Sequence, residues 1–211
     1  MGKMTETLQT LLHLGTQIKF ITTMNYAYRD NEEYLDKIKL TGHYKNLPFS
    51  KAVSGYLQNY AIIIICSFLD ELNGEFTPKK HSEYSERIIK VRKAIKPIKK
   101  RINQWENLRN YRDYVLAHNL REKNTPIFSS NRQKKEYKVP FSNSEHYLLS
   151  ELIILIIQII SAEFEDVISE INLTESLLDK INFTENEINA QKEYDLIRTE
   201  CLKIINSEKK L

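Results

Sequence analysis

Apolar residues along this chain recur mainly at spacings of three and four, the signature of one helix face, and seldom alternate as they would in a half-buried strand. The first segment carries Leu8, Leu11, Leu12, Ile18, Ile21 and Tyr28 in loose helical register, with Thr5 or Thr7 placed to cap it. Asn31 to Leu47 is mixed and predicts a shorter helix ending near Gly42. From Lys51 to Leu72, after Ser50, a strong apolar pattern begins at Val53 and runs through Tyr56, Leu57 and Tyr60 to Phe68 and Leu69. The isoleucines Ile62 to Ile65 would suit a buried strand, but the whole pattern is too long for one. Gly74 stands where a helix end favours glycine.

The most regular stretch follows: Ile88, Val91, Ile95, Ile98, Ile102, Trp105 and Leu108 form one stripe, on a single helix or two stacked ones. Pro97 predicts a kink or break, and the stripe continues through Val115 and Leu116 into Asn119 before Pro126 stops it. Residues Asn124 to Asn143 are polar and basic, a loop or a small hairpin. Ser142 with Glu145 has capping-box spacing and opens a helix reaching about Glu170. Its apolar positions from Leu148 to Ile160 cover nearly every side, which predicts a central helix or a subunit interface. Thr184 with Glu187 is a second capping box, opening a last helix to about Asn206. With 5 Gly and 5 Pro in 211 residues, the chain lacks the turn residues of an all-β fold. The prediction is an all-α, single-domain bundle over 1–211, with a core at about 50–170 and flanking helices at 5–47 and 174–206.

Composition changes this picture little: 41% hydrophobic and 28% charged residues are ordinary for a globular protein and argue against general disorder. The net charge of +3 says little, but its distribution says more. Between Lys79 and Arg101 stand Lys79, Lys80, Arg87, Lys90, Arg92, Lys93, Lys96, Lys99, Lys100 and Arg101 against Glu83 and Glu86. A second basic cluster is Arg132, Lys134, Lys135 and Lys138, whereas Glu163 to Asp195 is mainly acidic. Each basic cluster is either a solvated helix face or a phosphate-binding surface.

Cys66 and Cys201 form neither a metal motif nor a disulfide framework, and buried free thiols suit a reducing compartment. The first residues show no secretory signal, and Glu6 occupies the position where acylation of Gly2 would want Ser or Thr. The apolar runs Ala61 to Leu69 and Leu152 to Ile160 are too short to span a bilayer. A soluble, cytoplasmic protein without membrane attachment is expected. His13, His43, His81 and His146 lack partners at metal-ligand spacing and are expected on the surface or in packing, so neither metal nor cofactor is expected. Glycine-rich phosphate loops, Gly-x-Ser-x-Gly and His-Glu-x-x-His are absent from the sequence.

The segment Arg112-Asp113-Tyr114-Val115-Leu116-Ala117-His118 carries the candidate chemistry. On a helix turning about 100° per residue, Arg112 falls within the apolar stripe, near Trp105, Leu108, Leu116 and Asn119. A guanidinium cannot lose its charge there and needs an anionic or hydrogen-bonding partner. His118 would lie about 120° around and about 9 Å along the axis, so both residues can border one cleft over the helix end. The helix dipole there favours imidazolium while Arg112 and Arg121 oppose it, a balance that suits titration near neutral pH.

Arginine, a polar residue and a helical stretch ending in histidine resemble the signature of the HEPN superfamily. The context Leu108-Arg109-Asn110-Tyr111 before the motif and Ala117-His118-Asn119 at its end resembles the abortive-infection branch of that superfamily. The apolar run Ile62 to Leu69 ending at Asp70-Glu71 is similar to the preceding helix of those proteins. The likeness covers about Ser50 to Glu170 and implies a HEPN-type helical bundle, here with an additional C-terminal helix. It implies a metal-independent endoribonuclease, a toxin or phage-defence effector acting on RNA. It also implies a homodimer whose two motifs form one cleft, with an antitoxin protein as a further partner.

On this reading Arg112 binds the scissile phosphate, His118 handles protons, and Asp113 and Asn119 orient them. Arg109, Arg121, Arg132, Lys134 and Lys135 would track the RNA backbone. In some HEPN toxins a tyrosine two residues after the histidine is modified by a paired nucleotidyltransferase; Leu120 stands there instead. Three alternatives remain open at this point. In the first, Arg112 is spent in an ion pair with Asp70 or Glu71 while His118 caps a helix. The bundle could be a silent module that binds RNA or a protein through the same cleft. It could also be a structural oligomer joined through Leu152 to Ile160.

Overall fold

A computed structural model of the chain describes residues 2–41, 45–117, 121–122, 125–126 and 137–171. The chain divides into two units, 1–173 and 174–211, and the described residues fall in the first. The last helix expected from Thr184 lies outside them, as does Cys201. The described chain is built of helices, with one exception: two-residue strands β1 (Arg121–Glu122) and β2 (Thr125–Pro126) pair as an antiparallel ribbon. Its second strand falls at the start of the segment read as loop or hairpin, Asn124 to Asn143, and its first lies just before it.

Helix α1 spans Lys3–Asp30 and buries Leu8, Leu11, Leu12, Ile18 and Ile21 as its spacing predicts. Its start differs from expectation: Gly2 is the N-cap and neither threonine caps. Thr7 is instead buried, its hydroxyl 3.3 Å from His81 Nε2, tying α1 to the connector ahead of α4. The helix expected between Asn31 and Gly42 shrinks to α2, Glu32–Leu35, because few of its positions find an apolar surface to cover. Gly42 lies outside the described residues.

Helix α3, Phe49–Gly74, confirms the length argument against a strand: Ala61, Ile62, Ile65, Cys66, Phe68, Leu69 and Leu72 line its buried side. Pro48 precedes it and offers no side-chain cap. Asp36 supplies one from across the connector, accepting the Ser50 N–H at 3.0 Å, and that hydrogen bond lowers its carboxyl pKa. At the other end Gly74 is the last helical residue and Glu75 follows in right-handed backbone, so the glycine cap predicted there does not form. Arg92 closes this end instead, donating from Nε to the Phe76 carbonyl at 3.1 Å and from Nη2 to the Leu72 carbonyl at 3.0 Å.

The regular stripe becomes a staircase of short helices. After a 3-10 turn at Ser82–Tyr84 come α4 (Ser85–Ala94), α5 (Lys96–Ile102) and α6 (Leu108–Tyr111). Pro97 sits in the first turn of α5, where its missing N–H is harmless, and the predicted break falls just before it at Ile95. All seven stripe residues are buried despite the breaks.

Helix α7, Asn143–Glu163, starts on the predicted capping box. Its buried side is Leu149, Ile153, Ile156 and Ile160, packed toward α1, α3, α4 and α5. Leu148 and Leu155 are exposed at 38% and 43%, so within one chain the helix is not enclosed on every side, as the interface alternative would also have it. It also stops earlier than expected, breaking at Phe164 before α8, Glu165–Ile168. Gly15 on α1 lets α7 approach closely, since a β-carbon there would collide with Ile157. The helices that hold the two longest apolar runs reach 26 and 21 residues, so by length and composition both could cross a membrane. That replaces the argument that these runs are too short; parts of both helices pack into the core.

The α7 cap ties pH to stability. Glu145 accepts the backbone N–H groups of Phe141 and Ser142, both at 3.1 Å, and the Trp105 indole N–H at 3.4 Å. These bonds, the backbone ones first, hold its carboxyl down at about 2. A depressed folded-state pKa contributes stability that is complete above about 4.5 and lost as pH falls toward 2. Glu145→Gln is therefore expected to cost about 1–2 kcal/mol at pH 7. Urea unfolding at pH 7, 4 and 3 should show the gap to wild type narrowing with acidity; a constant gap would contradict this assignment.

Candidate functional site

Arg112 opens a six-residue π-helical turn, Arg112–Ala117, that continues directly from α6. Hydrogen bonds of the i→i+5 type widen the turn, and such segments recur at functional sites. The α-helical arithmetic therefore ends at Tyr111. An α-helix would bury Leu116 beside Trp105 and Leu108, whereas Arg112 through Leu116 are all half-buried. The angular offset of about 120° computed for His118 does not carry over. His118, Asn119, Leu120, Arg132, Lys134 and Lys135 lie outside the described residues, and of Arg121 only its strand is described.

Arg112 finds the anionic partners its position demands. Its Nη1 donates to Asp70 Oδ2 at 2.7 Å and its Nε to Asp113 Oδ1 at 2.7 Å. The hydrogen bond to Asp113, then that to Asp70, raises the guanidinium pKa above its usual value despite partial burial. Arg109, one turn earlier, places Nη2 2.5 Å from the other oxygen of Asp70. Asp70 thus bridges two arginines from the last turns of α3. Arg112 is 22% exposed and Arg109 54%, so the cluster lies at the surface with Arg112 set deeper. Among the described residues Arg112 Nη2 has no partner.

The surroundings fix the arginines from behind. The Cys66 thiol donates weakly to the Leu108 carbonyl at 3.9 Å, and burial pushes its pKa up to about 11. It is a neutral packing group, not a nucleophile. The Tyr111 hydroxyl donates to Asn59 Oδ1 at 3.4 Å, its pKa raised by burial, and its ring meets Tyr137 edge-on at 5.6 Å. Lys138 N–H donates to Asn107 Oδ1 at 2.9 Å, and Asn107 N–H returns a bond to the Lys138 carbonyl at 3.2 Å. The chain therefore departs at Ala117 and returns at Tyr137 beside the same turn. Sequence reasoning named Asp70 as a possible partner of Arg112 but missed its second arginine and the Asn107–Lys138 clip. An Asn and a Lys separated by 31 positions give no local signal.

The described histidines, His13, His81 and His146, make no hydrogen bond or ion pair with the Arg112 cluster among the described residues. His81 is buried against Thr7, and burial pushes the His146 imidazole down to about 4. His13 bonds Gln17 at 2.7 Å within α1, and His43 is not described. Among the described residues no three His, Cys, Asp or Glu side chains gather as a metal site. Compared with known proteins, the chain matches no family model, no curated protein and no solved structure.

Proposed function

We propose that this chain is a metal-independent endoribonuclease of HEPN type, a cytoplasmic toxin or phage-defence effector that cuts RNA in a cleft between two copies of the chain. The observation that carries the reading is Arg112: half-buried, on a π-helical turn, gripped by Asp70 and Asp113 yet with Nη2 unclaimed among the described residues. A guanidinium held on two edges keeps a pre-aimed donor face for a phosphate oxygen. RNA carries its own nucleophile. A base removes the 2′-hydroxyl proton, the oxygen attacks phosphorus, the bond to the 5′-oxygen breaks, and an acid protonates that oxygen. The products are a 2′,3′-cyclic phosphate and a 5′-hydroxyl. The two copies of His118 in a homodimer would serve as base and acid, and Arg112 would balance charge on the phosphorane.

One observation favours a second reading, a silent module that binds RNA or a protein. Asp70 and Asp113 together balance the charges of Arg109 and Arg112, so the cluster can join α3 to α6 with no ligand. The test is incubation of the purified protein with an RNA and the DNA of the same sequence, both in EDTA. Cutting of the RNA alone, with cyclic-phosphate ends, supports the ribonuclease; RNA binding without cutting supports the silent module. If RNA is neither bound nor cut, the ribonuclease and the RNA-binding module both fail, and only a module that binds a protein is left.

A further inference from the structure

The basic run from Lys79 to Arg101 splits into two halves that behave differently in the fold. In the first half three of the four basic residues are neutralised, Lys79 being the exception among the described pairs: Lys80 pairs with Glu75 at 2.5 Å, Arg87 with Asp166 at 2.6 Å and Lys90 with Glu163 at 2.5 Å. In the second half, among the described residues, no carboxylate pairs with Arg92, Lys93, Lys96, Lys99 or Lys100. These five and Asn103 line an open hollow of about 810 Å³ over the α4–α5 junction.

Helix electrostatics explain only part of this charge. Lys99 and Lys100 lie in the last turn of α5, and Lys93 in the last turn of α4, where cations complement the dipole. Lys96 is the first residue of α5, where the dipole disfavours a cation, and no acidic residue offsets it in that turn. Burial and the neighbouring Arg92 and Arg109 lower the Lys99 pKa, so these cations crowd one another without an anion between them. Lys99 donates to Asn73 Oδ1 at 2.6 Å and, with Asn103, also lines a second hollow of about 350 Å³ that Arg109 lines as well. Arg109 shares Asp70 with Arg112. The two hollows share Lys99 and Asn103, and together, as a trough, they lead from four lysines without a carboxylate partner among the described residues, Lys93, Lys96, Lys99 and Lys100, to Arg109, which Asp70 pairs at the candidate site.

We propose that this trough holds the phosphodiester backbone of single-stranded RNA on one side of the cut, leading it over Lys96, Lys93 and Lys100, past Lys99 and Arg109, to Arg112. The inference rests on reading Arg112 as a phosphate-binding residue. An anionic track of several spaced phosphates, rather than one anion, fits a trough with cations distributed along its length. Single strands release counterions with a slope of about 0.7 per phosphate contact.

The test measures binding of a fluorescently labelled single-stranded RNA across a salt series. One variant is Lys93→Gln/Lys96→Gln/Lys100→Gln; the other, Lys79→Gln/Lys80→Gln/Lys90→Gln, removes equal charge from the opposite half. All six lysines are exposed, and melting temperatures establish that both variants fold. The first should bind at least about tenfold more weakly at moderate salt, with a salt slope smaller by about 2. The second should bind like wild type. Equal losses in both variants, no loss in the first, or a wild type that binds no RNA overturns the proposal. If wild type cuts RNA and the first variant binds and cuts as well as wild type, the trough fails while the ribonuclease stands. If the first variant alone loses binding and wild type cuts nothing, the trough stands and the ribonuclease fails.

Discussion

Arg112→Lys should lower the rate of RNA cleavage by about 10²–10³-fold, although it keeps the positive charge. Arginine offers five N–H donors in a rigid fork, and here Nε and Nη1 are committed to different carboxylates. A lysine has three donors on one atom and cannot reach Asp113 on one edge, Asp70 on another and a phosphate on a third. The ammonium would settle between the carboxylates and leave the phosphorane without its aimed donor. Because the charge survives, Asp70 and Asp113 stay neutralised, and the melting temperature should change by only a few degrees. The loss should appear in kcat more than in KM, since the trough that binds the flanking backbone is intact. His118→Ala should cost at least as much, removing base and acid together in a symmetric dimer. An Arg112→Lys variant that cuts at wild-type rate would reduce Arg112 to a charge in a structural cluster and favour the silent module.

How much of this could be read from residues alone depends on the range of the interaction. The stripe from Ile88 to Leu108 was legible because burial follows period, and all seven positions are buried in the structure. The capping box at Ser142 was legible because both halves lie three residues apart. An arginine inside an apolar stripe demanded a counterion, and Asp70 at the end of an apolar run was a named candidate. The winding after Tyr111 was not legible. A π-turn uses the same side chains as an α-helix, and only its backbone bonds differ. The Asp36 cap on α3 was hidden too, because it reaches Ser50 across a connector that local spacing cannot bridge. The basic run looked uniform for a related reason: its division into a neutralised and an open half depends on Glu163 and Asp166, far along the chain.

Those same acidic residues frame the second large effect, which concerns stability. Phe164→Ala should destabilise the described unit by about 3–5 kcal/mol, a large share of the roughly 5–15 kcal/mol that holds a typical domain folded. Phe164 is fully buried at the break between α7 and α8, where its own N–H closes α7 onto the Ile160 carbonyl at 2.9 Å. Its ring meets Phe76 edge-on at 5.7 Å and Tyr84 at 6.0 Å, and the Arg87 guanidinium stacks over it at 4.3 Å. Arg87 also holds Asp166 and the Glu163 carbonyl, so one aromatic ring packs the end of α7 against the start of α4. Removing the ring leaves a cavity and strips the guanidinium of the face that shields it from water.

Phe164→Leu separates these contributions. It refills most of the volume and should cost less than about 1.5 kcal/mol, chiefly the aromatic contacts. Arg87→Gln should cost about 1 kcal/mol, because its pair with the exposed Asp166 contributes little and the main loss is its bond to the Glu163 carbonyl. Denaturant unfolding of the three variants checks the order. Equal losses for alanine and leucine would mean that the cavity collapses and that the ring geometry, not the volume, holds α7 to α4. Phe164 packs against α4 and the Phe76 connector, not against the π-turn, so the folded fraction of Phe164→Ala should cut RNA at the wild-type rate per molecule. A matching loss of specific activity would instead tie the two ends of the bundle together.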